Sequence, residues 1–335
     1  GCSGITFTTA DVMYWHTHAS ANWSAASSWF DTTGGGGSAG RVPLLQDTAV
    51  FDDLSFPSGS ITVTQDMPRI PSTFWDGDDH AHPVANSPTF TTSTICSVFG
   101  SMILHGNIGT LTASAQTYSF EGRGTYTLTS AGKTWGKDIR LYHPGGTVTF
   151  GDVFNSTKYI YVESATLNDG GFNVTVANYI QYNGNTLVLG ACTWDITGIK
   201  GGYPSFNVTP TNTITANSAN IIKLSSTAAS GTKGFNGGGK TYGNLWINVT
   251  GITTVLLEGS NTFNDIKIDA GRTLQFVKDT VTTLATLTAT GTGAADCKLA
   301  CSSTDGTFDT DGTITGDHFH LKKTTATKNT TVVND

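Results

Sequence analysis

From about Ser60 onward, apolar and polar residues alternate in short segments set apart by Gly, Asn, Asp or Ser. Examples are Ile61-Thr-Val-Thr64, Thr125-Tyr-Thr-Leu128, Thr147-Val-Thr-Phe150, Phe172-Asn-Val-Thr-Val176 and Thr186-Leu-Val-Leu189. A period of two turns one side of each segment inward and the other to water, which predicts strands. The turn residues recur too often to leave room for crossover helices. The first fifty residues differ. They carry Tyr14, Trp15, Trp23, Trp29 and Phe30, then a loop at Gly34–Gly37, then Val42-Pro43 and the strand-like Thr48-Ala-Val-Phe-Asp52. Aromatics this dense, with no helical period, predict a cap that closes the end of a stack of strands. An uncapped end would expose both core and unpaired strand edge.

An internal repeat orders the alternating segments. Gly132-Lys-Thr-Trp-Gly136 recurs as Gly239-Lys-Thr-Tyr-Gly243, an offset of 107, and Thr147-Val148 recurs as Thr254-Val255 at the same offset. A shorter offset of 21 relates Asn244-Leu-Trp-Ile247 to Asp265-Ile-Lys-Ile268. Five steps of about 21 make roughly 107, so both offsets fit one rung length in the solenoid range. The expected fold is all-β: a right-handed parallel β-helix with rungs of about 21 residues and an aromatic-rich N-terminal cap. Residues 1–58 form the cap or attachment segment and residues 59–335 the solenoid. The alternative is a β-sandwich or tandem jelly rolls with coincidental similarity.

Composition supports strand and turn. Of 335 residues, 40 are Gly, only 13% are charged, and Glu occurs only at Glu121, Glu163 and Glu258. Good helix formers are thin, whereas Thr, Val, Ile, Tyr and Phe fit a pleated surface. The net charge of -7 argues against a nucleic-acid or anionic-membrane partner. No stretch approaches the ~20 apolar residues of a membrane span. No signal peptide is visible, and Gly1 is not an initiator Met, so the natural start is expected upstream. Gly1-Cys2 also admits reading as the remains of a lipobox. The five cysteines, Cys2, Cys96, Cys192, Cys297 and Cys301, are odd in number and scattered, which is no disulfide framework. Cys297 and Cys301 either pair or serve as small buried hydrophobes. A reducing compartment fits this usage.

Six of the eight histidines fall in His-x-His pairs: His16/His18, His80/His82 and His318/His320. On a strand, positions i and i+2 share a face, so two imidazoles would hold a transition metal if a third ligand converged. The best case is Asp76, Asp78, Asp79, His80 and His82, three carboxylates beside two imidazoles. The same cluster would suit Ca²⁺ if the carboxylates dominated. A Gly- and Asp-rich segment ending in Pro83 is equally the composition of an exposed turn. Asp317-His318-Phe319-His320 is the weaker case.

Glycoside hydrolysis needs two carboxylates about 5 to 9.5 Å apart. Glu121 with Asp138, and Glu163 with Asp138 or Asp152, are candidates about one rung apart, and with 25 acids such near-matches arise by chance. No nucleophile elbow, phosphate loop or nucleotide fingerprint is present. Asn-x-Ser/Thr sequons begin at Asn22, Asn155, Asn173, Asn207, Asn248 and Asn329, about as many as the composition yields by chance. Trp75, Trp194, Tyr203 and Trp246 are expected at the surface, where they would stack on sugar rings or fill subunit contacts. Trp246 alternates with Leu245 and Ile247 and is expected to face outward.

Tyr14-Trp15, Ala21-Asn-Trp-Ser24, Ser28-Trp29, Val42-Pro43 and Asp47-Thr-Ala-Val-Phe-Asp52 resemble a recurring opening, "YWVGG-x-GNWSD-x-x-x-W … VP-x-x-x-DDVFFD". It belongs to large uncharacterised β-helical surface proteins of phages and environmental bacteria. Gly259-Ser-Asn-Thr-Phe-Asn-Asp-Ile-Lys-Ile268, Gly271-Arg-Thr-Leu-Gln-Phe276 and Leu287-Thr-Ala-Thr-Gly-Thr292 are similar to later segments of the same proteins. His16-Thr-His18, where the family has glycines, and the Asp76–His82 insertion depart from the pattern. The resemblance implies a virion-surface tail fibre, spike or head-decoration protein, or else an extracellular bacterial adhesin, and it carries no catalytic motif. The expected partners are a homotrimer of this chain, other virion proteins and a host surface glycan. No cofactor is expected beyond the candidate divalent metal. A polysaccharide-binding or depolymerising tailspike is the alternative function.

Overall fold

The computed structural model describes residues 9–333 apart from residues 60, 94, 114–116, 200, 278, 293, 302–305, 311–312, 323 and 327–330. Cys2 and the sequon at Asn329 therefore lie outside the described residues. Among the described residues the chain is all-β, and its helical turns are the 3-10 turns Ala26–Ser28 and Thr33–Gly35. The strands pair in parallel, except that Val12–Trp15 runs antiparallel to Trp29–Phe30. The chain divides into two compact units, Gly1–Asp152 and Val153–Asp335.

In the first unit the strands Val12–Trp15, Thr48–Val50, Arg69–Phe74, Cys96–Ile103, Thr125–Thr129 and Ile139–Phe150 align one buried residue over the next. Met13, Ala49, Thr73, Met102, Leu128 and Phe150 form one such column, each in register with its neighbour and almost fully buried. Ile70, Val98, Phe120 and Leu141 form a second. A smaller sheet pairs Ala21–Asn22, Thr62–Gln65, Thr89–Thr92 and Thr110–Ala113. Alternation turns Val63 and Phe90 inward, while Thr62, Thr89 and Thr110, and Thr64, Thr91 and Thr112, make two rows on the other face.

The aromatic opening packs as a cluster. Trp15, Trp23 and Trp29 each approach Phe51 at 5.7 Å between ring centroids, and Phe51 stacks on Trp75 at 3.9 Å. All five rings are fully buried. Arg41 ties the loop before Thr48 down by bonding both Asp11 and Asp47. Burial alone would raise the Asp47 carboxyl. The Arg41 guanidinium and the N–H groups of Asp11 and Leu44 outweigh that and hold it below the usual range.

In the second unit the chain passes back and forth between two parallel sheets, laying one or two strands in each before crossing. Phe154, Val174, Trp194, Ile222, Leu245, Ile266, Leu287 and Ile314 stack in register through one of them, all buried. Ile160, Tyr179, Phe206, Phe235, Leu257, Phe276 and Cys301 stack through the other. Aromatic neighbours in that column stack: Tyr179 and Phe206 at 5.1 Å with a tilt of 28°, Phe206 and Phe235 at 4.9 Å and nearly parallel. Such contacts add to the area each ring buries.

The 21-residue offset read from the sequence is a true register, because Asn244 pairs with Asp265 and Ile247 with Ile268. The step is not constant, however. In the second unit it runs from 18 residues (Thr313 to Thr331) to 29 (Phe206 to Phe235). Loops of different length are inserted between strands without disturbing the pairing. The two copies of the Gly-Lys-Thr-aromatic motif do share a local structure. Ala131 and Gly132, and Gly238 and Gly239, take positive φ, and the following Trp135 and Tyr242 are buried.

Buried polar side chains close the turns. Asn185 accepts from the Ala165 N–H and donates to the Val162 carbonyl, while Asn212 accepts from the Asn185 N–H and donates to the Gln181 carbonyl. The fully buried Asp169 carboxylate accepts from the N–H groups of Gly171 and Gly190, the Trp194 indole and the Cys192 thiol. Lys233, also fully buried, donates to the carbonyls of Ile196, Gly198 and Ser225.

Two stability measurements test these columns. Leu245→Ala should cost about 2–5 kcal/mol in urea unfolding, because its neighbours in register are held by their own strands and cannot collapse into the gap. Burial pushes the Lys233 amine down to about 7, against a weaker upward pull from Asp195. Above that pH the folded chain carries it neutral, whereas the unfolded chain keeps the proton until about 10.5. Through this group the unfolded state binds more protons, so Lys233 contributes a rise in stability with pH of up to about 1.4 kcal/mol per unit from about pH 7. Above about pH 8 the buried thiols and phenols, raised by burial, pull the other way, and the comparison with the variant isolates the lysine. Lys233→Met should remove that slope.

Candidate functional site

After Phe74 the chain leaves the sheet, and the base of the loop over residues 76–82 is closed where the Val84 N–H bonds the Trp75 carbonyl at 3.2 Å. The loop is closed again within itself by the His82 N–H on the Asp76 carbonyl. Gly77 sits at φ 84°, where a Cβ would press on the His82 carbonyl oxygen at 3.0 Å, so this position needs glycine. His80 adopts φ 59°, a left-handed conformation that side chains other than glycine rarely take.

The loop divides the five residues singled out in the sequence. Asp78 accepts from the Tyr14 hydroxyl at 2.6 Å; burial and this bond together push the tyrosine up to about 12. Asp79 accepts from the Ala81 N–H at 2.9 Å and pairs with His82 at 3.0 Å. The Ala81 N–H and His82 lower the Asp79 carboxyl, and Asp79 in turn raises the exposed His82. These groups face a recess of about 360 Å³ that Tyr14, Asp52 and Asp53 also line. The Asp52 carboxylate there is already engaged by Thr33, the Leu54 N–H and Ser55.

Asp76 and His80 face another way. The His80 Nδ1 bonds Asp76 Oδ2 at 2.8 Å, and its ring leans on Phe74 at 5.0 Å. Both line a second recess of about 500 Å³ on the outer face of the strands Arg69–Phe74, Cys96–Ile103 and Thr125–Thr129. His105, Ser101, Thr127 and Thr129 complete its polar lining. Among the described residues, no three His, Cys, Asp or Glu side chains stand so as to hold a metal ion.

The other pairs are not brought into comparable sites. The His16 and His18 rings touch each other edge to face at 5.3 Å, and His16 Nδ1 meets the Leu54 carbonyl. His320 pairs with Asp296 at 3.1 Å, and the backbone turns at His318, φ 48°. In all three His-x-His pairs at least one member lies outside a strand, so the same-face argument does not apply. Cys96, Cys192, Cys297 and Cys301 are unpaired and buried. Glu121 accepts from Ser97 at 2.7 Å, and both Asp152 oxygens cap the turn at Ser130 and Ala131. Glu163 belongs to the second unit, Asp138 and Asp152 to the first.

The aromatic expectation is corrected at two positions. Trp75 and Trp194 are fully buried. Each shares the parity of inward neighbours, Thr73 in one strand and Ile196 in the other. Tyr203 is exposed, and Trp246 does face outward. The Trp246 ring lies between the ammonium groups of Lys223 and Lys267, 5.3 and 4.4 Å from its centroid, and its indole donates to Asp269. A further outward row was not anticipated: Tyr159, Tyr161 and Tyr182, with successive rings 5.4 and 6.5 Å apart and nearly parallel. Tyr159-Ile-Tyr161 alternation was its signal. Of the sequon asparagines, Asn207 is buried against Asn236.

Comparisons with protein-family models, with curated proteins and with solved structures find no match.

The Asp79–His82 pair gives a direct check. A proton NMR titration should find His82 ionising above the ordinary histidine range, and Asp79→Ala should return it there.

Proposed function

We propose that this chain is a virion-associated structural and adhesive protein of the tail-fibre, spike or head-decoration type. In this reading the parallel sheets are the walls of a right-handed β-solenoid with rungs of unequal length, closed by the aromatic opening. The observation that carries it is the pairing of buried apolar columns with uncharged polar rows on the opposite side of the same strands. Thr62, Thr89 and Thr110 and their neighbours Thr64, Thr91 and Thr112 are one example. Thr166, Thr186 and Thr213 in the second unit are another. Rows of hydroxyls on a hydrogen-bonded scaffold keep a large surface soluble and offer many weak, directional contacts to a hydroxyl-rich partner such as a host-surface glycan. The similarity of the opening residues to β-helical surface proteins of phages agrees with this. A homotrimer held with other virion proteins at the virion surface completes the reading.

Electron microscopy of native particles, with the mass of the purified protein taken on the same material, tests it. Projections in threes on a capsid or tail, and a mass of three chains, are expected. Monomeric protein that associates with no particle would overturn it.

A further inference from the structure

We propose that the recess bearing Asp76, His80 and His105 in the first unit is a subsite for one neutral pyranose unit of a glycan. The inference rests on the adhesive reading and gives it a location.

Three neighbouring strands supply the floor, since Phe74 pairs with Ile103 and Ile103 with Thr129. A β-bulge lies beside it. The register between Arg69–Phe74 and Cys96–Ile103 slips between Pro71 and Thr73, and a Cβ on Gly100 would strike the Ser72 backbone at 2.8 Å. Bulges re-aim side chains, and here Ser101 lies in the recess lining. The volume, about 500 Å³, lies in the range of small-ligand sites.

The polar groups are complementary to vicinal hydroxyls. Asp76 Oδ2 is taken by His80 Nδ1, whereas Asp76 Oδ1 is buried and among the described residues has no hydrogen-bond partner. An unmet carboxylate oxygen so covered is costly, and a ligand hydroxyl satisfies it once the loop wall over it gives way. In the tautomer that donates its Nδ1–H to Asp76 Oδ2, His80 keeps Nε2 as an acceptor. His105 is the reverse: its Nδ1 accepts from the Asn107 N–H at 3.2 Å, which places the proton of the neutral ring on Nε2 as a donor. Thr127 and Thr129 hydroxyls act in either sense. Phe74 supplies an apolar ring for the C–H face of a sugar. Among the described residues no Lys or Arg lines the recess, and the Asp76 charge repels anions, so the ligand chemistry is a neutral polyol ring.

Saturation-transfer NMR on the full chain tests this with the methyl glycosides of glucose, galactose, mannose and N-acetylglucosamine. At least one should receive saturation with an affinity on the order of millimolar, shifting His80 and His105 resonances. Asp76→Asn, which turns an acceptor pair into an amide, should weaken it roughly tenfold or more. Thr127→Val with Thr129→Val keeps the strand and should weaken it several-fold, so the result does not hinge on the loop folding in one variant. No transfer to any of the four glycosides, or transfer unchanged in both variants, would overturn the subsite. Binding of the wild-type chain to purified host-surface polysaccharide separates the two ideas. If it persists undiminished in both variants, the recess is wrong and the adhesive reading stands. If the wild type binds neither polysaccharide nor glycosides, glycan adhesion falls together with the subsite.

Discussion

A parallel strand cannot bond to the strand that follows it in the chain without a crossover; its backbone partners lie a whole pass away. Everything described here depends on that constraint. Each strand in the second unit finds its hydrogen bonds 18 to 29 residues distant, and only a consistent register lets every N–H and C=O be satisfied at once. Register in turn decides which side chains stack. Once Trp194 stands over Val174 and under Ile222, the whole column from Phe154 to Ile314 is determined, because a slip of one residue would turn apolar positions to water.

The turns bear the strain of this arrangement. Between strands the backbone must bend while staying partly buried, where unmet polar groups are costly. Short side chains with both donor and acceptor meet the need, which is why Asn185 and Asn212 each grip backbone groups of adjacent passes. Asp169 does the same with acceptor oxygens alone and Lys233 with donor hydrogens alone. One is surrounded by donors and the other by carbonyls, and among the described residues neither has an ion-pair partner in bonding contact. The abundance of Asn and Gly in the chain reflects this demand as much as surface polarity.

What was legible in the sequence follows from the same logic. Period-two alternation identified strands, and the Asn244/Asp265 offset identified a register, because both are set by the pleat. Step length was not legible as a constant, since a loop can lengthen between two strands without altering how they pair. Trp75 and Trp194 were misplaced by their size and polarity rather than by their parity. Trp194-Asp-Ile196 already puts the indole on the side of the isoleucine. The cluster at residues 76–82 was recognised as residues but not as geometry. Sequence proximity suggested convergence, whereas the turn at Gly77 and the left-handed His80 direct Asp76 and His80 to one recess and Asp78, Asp79 and His82 to another. His105, 29 positions from Asp76, was invisible to a fixed 21-residue step.

This division explains where chemistry can be placed in such a scaffold. Within the strands the inward positions are committed to columns, and an outward side chain meets its register neighbours, as Trp246 meets Lys223 and Lys267. Functional groups on a strand therefore neutralise one another unless a loop or bulge breaks the row. Around the Asp76–His80 recess both devices occur together. The loop carries Asp76 and His80 past the end of one strand, the register of the next strand slips beside Gly100, and the recess lies next to both. The irregularity that hides the site from a repeat-based reading is the same one that makes room for a ligand.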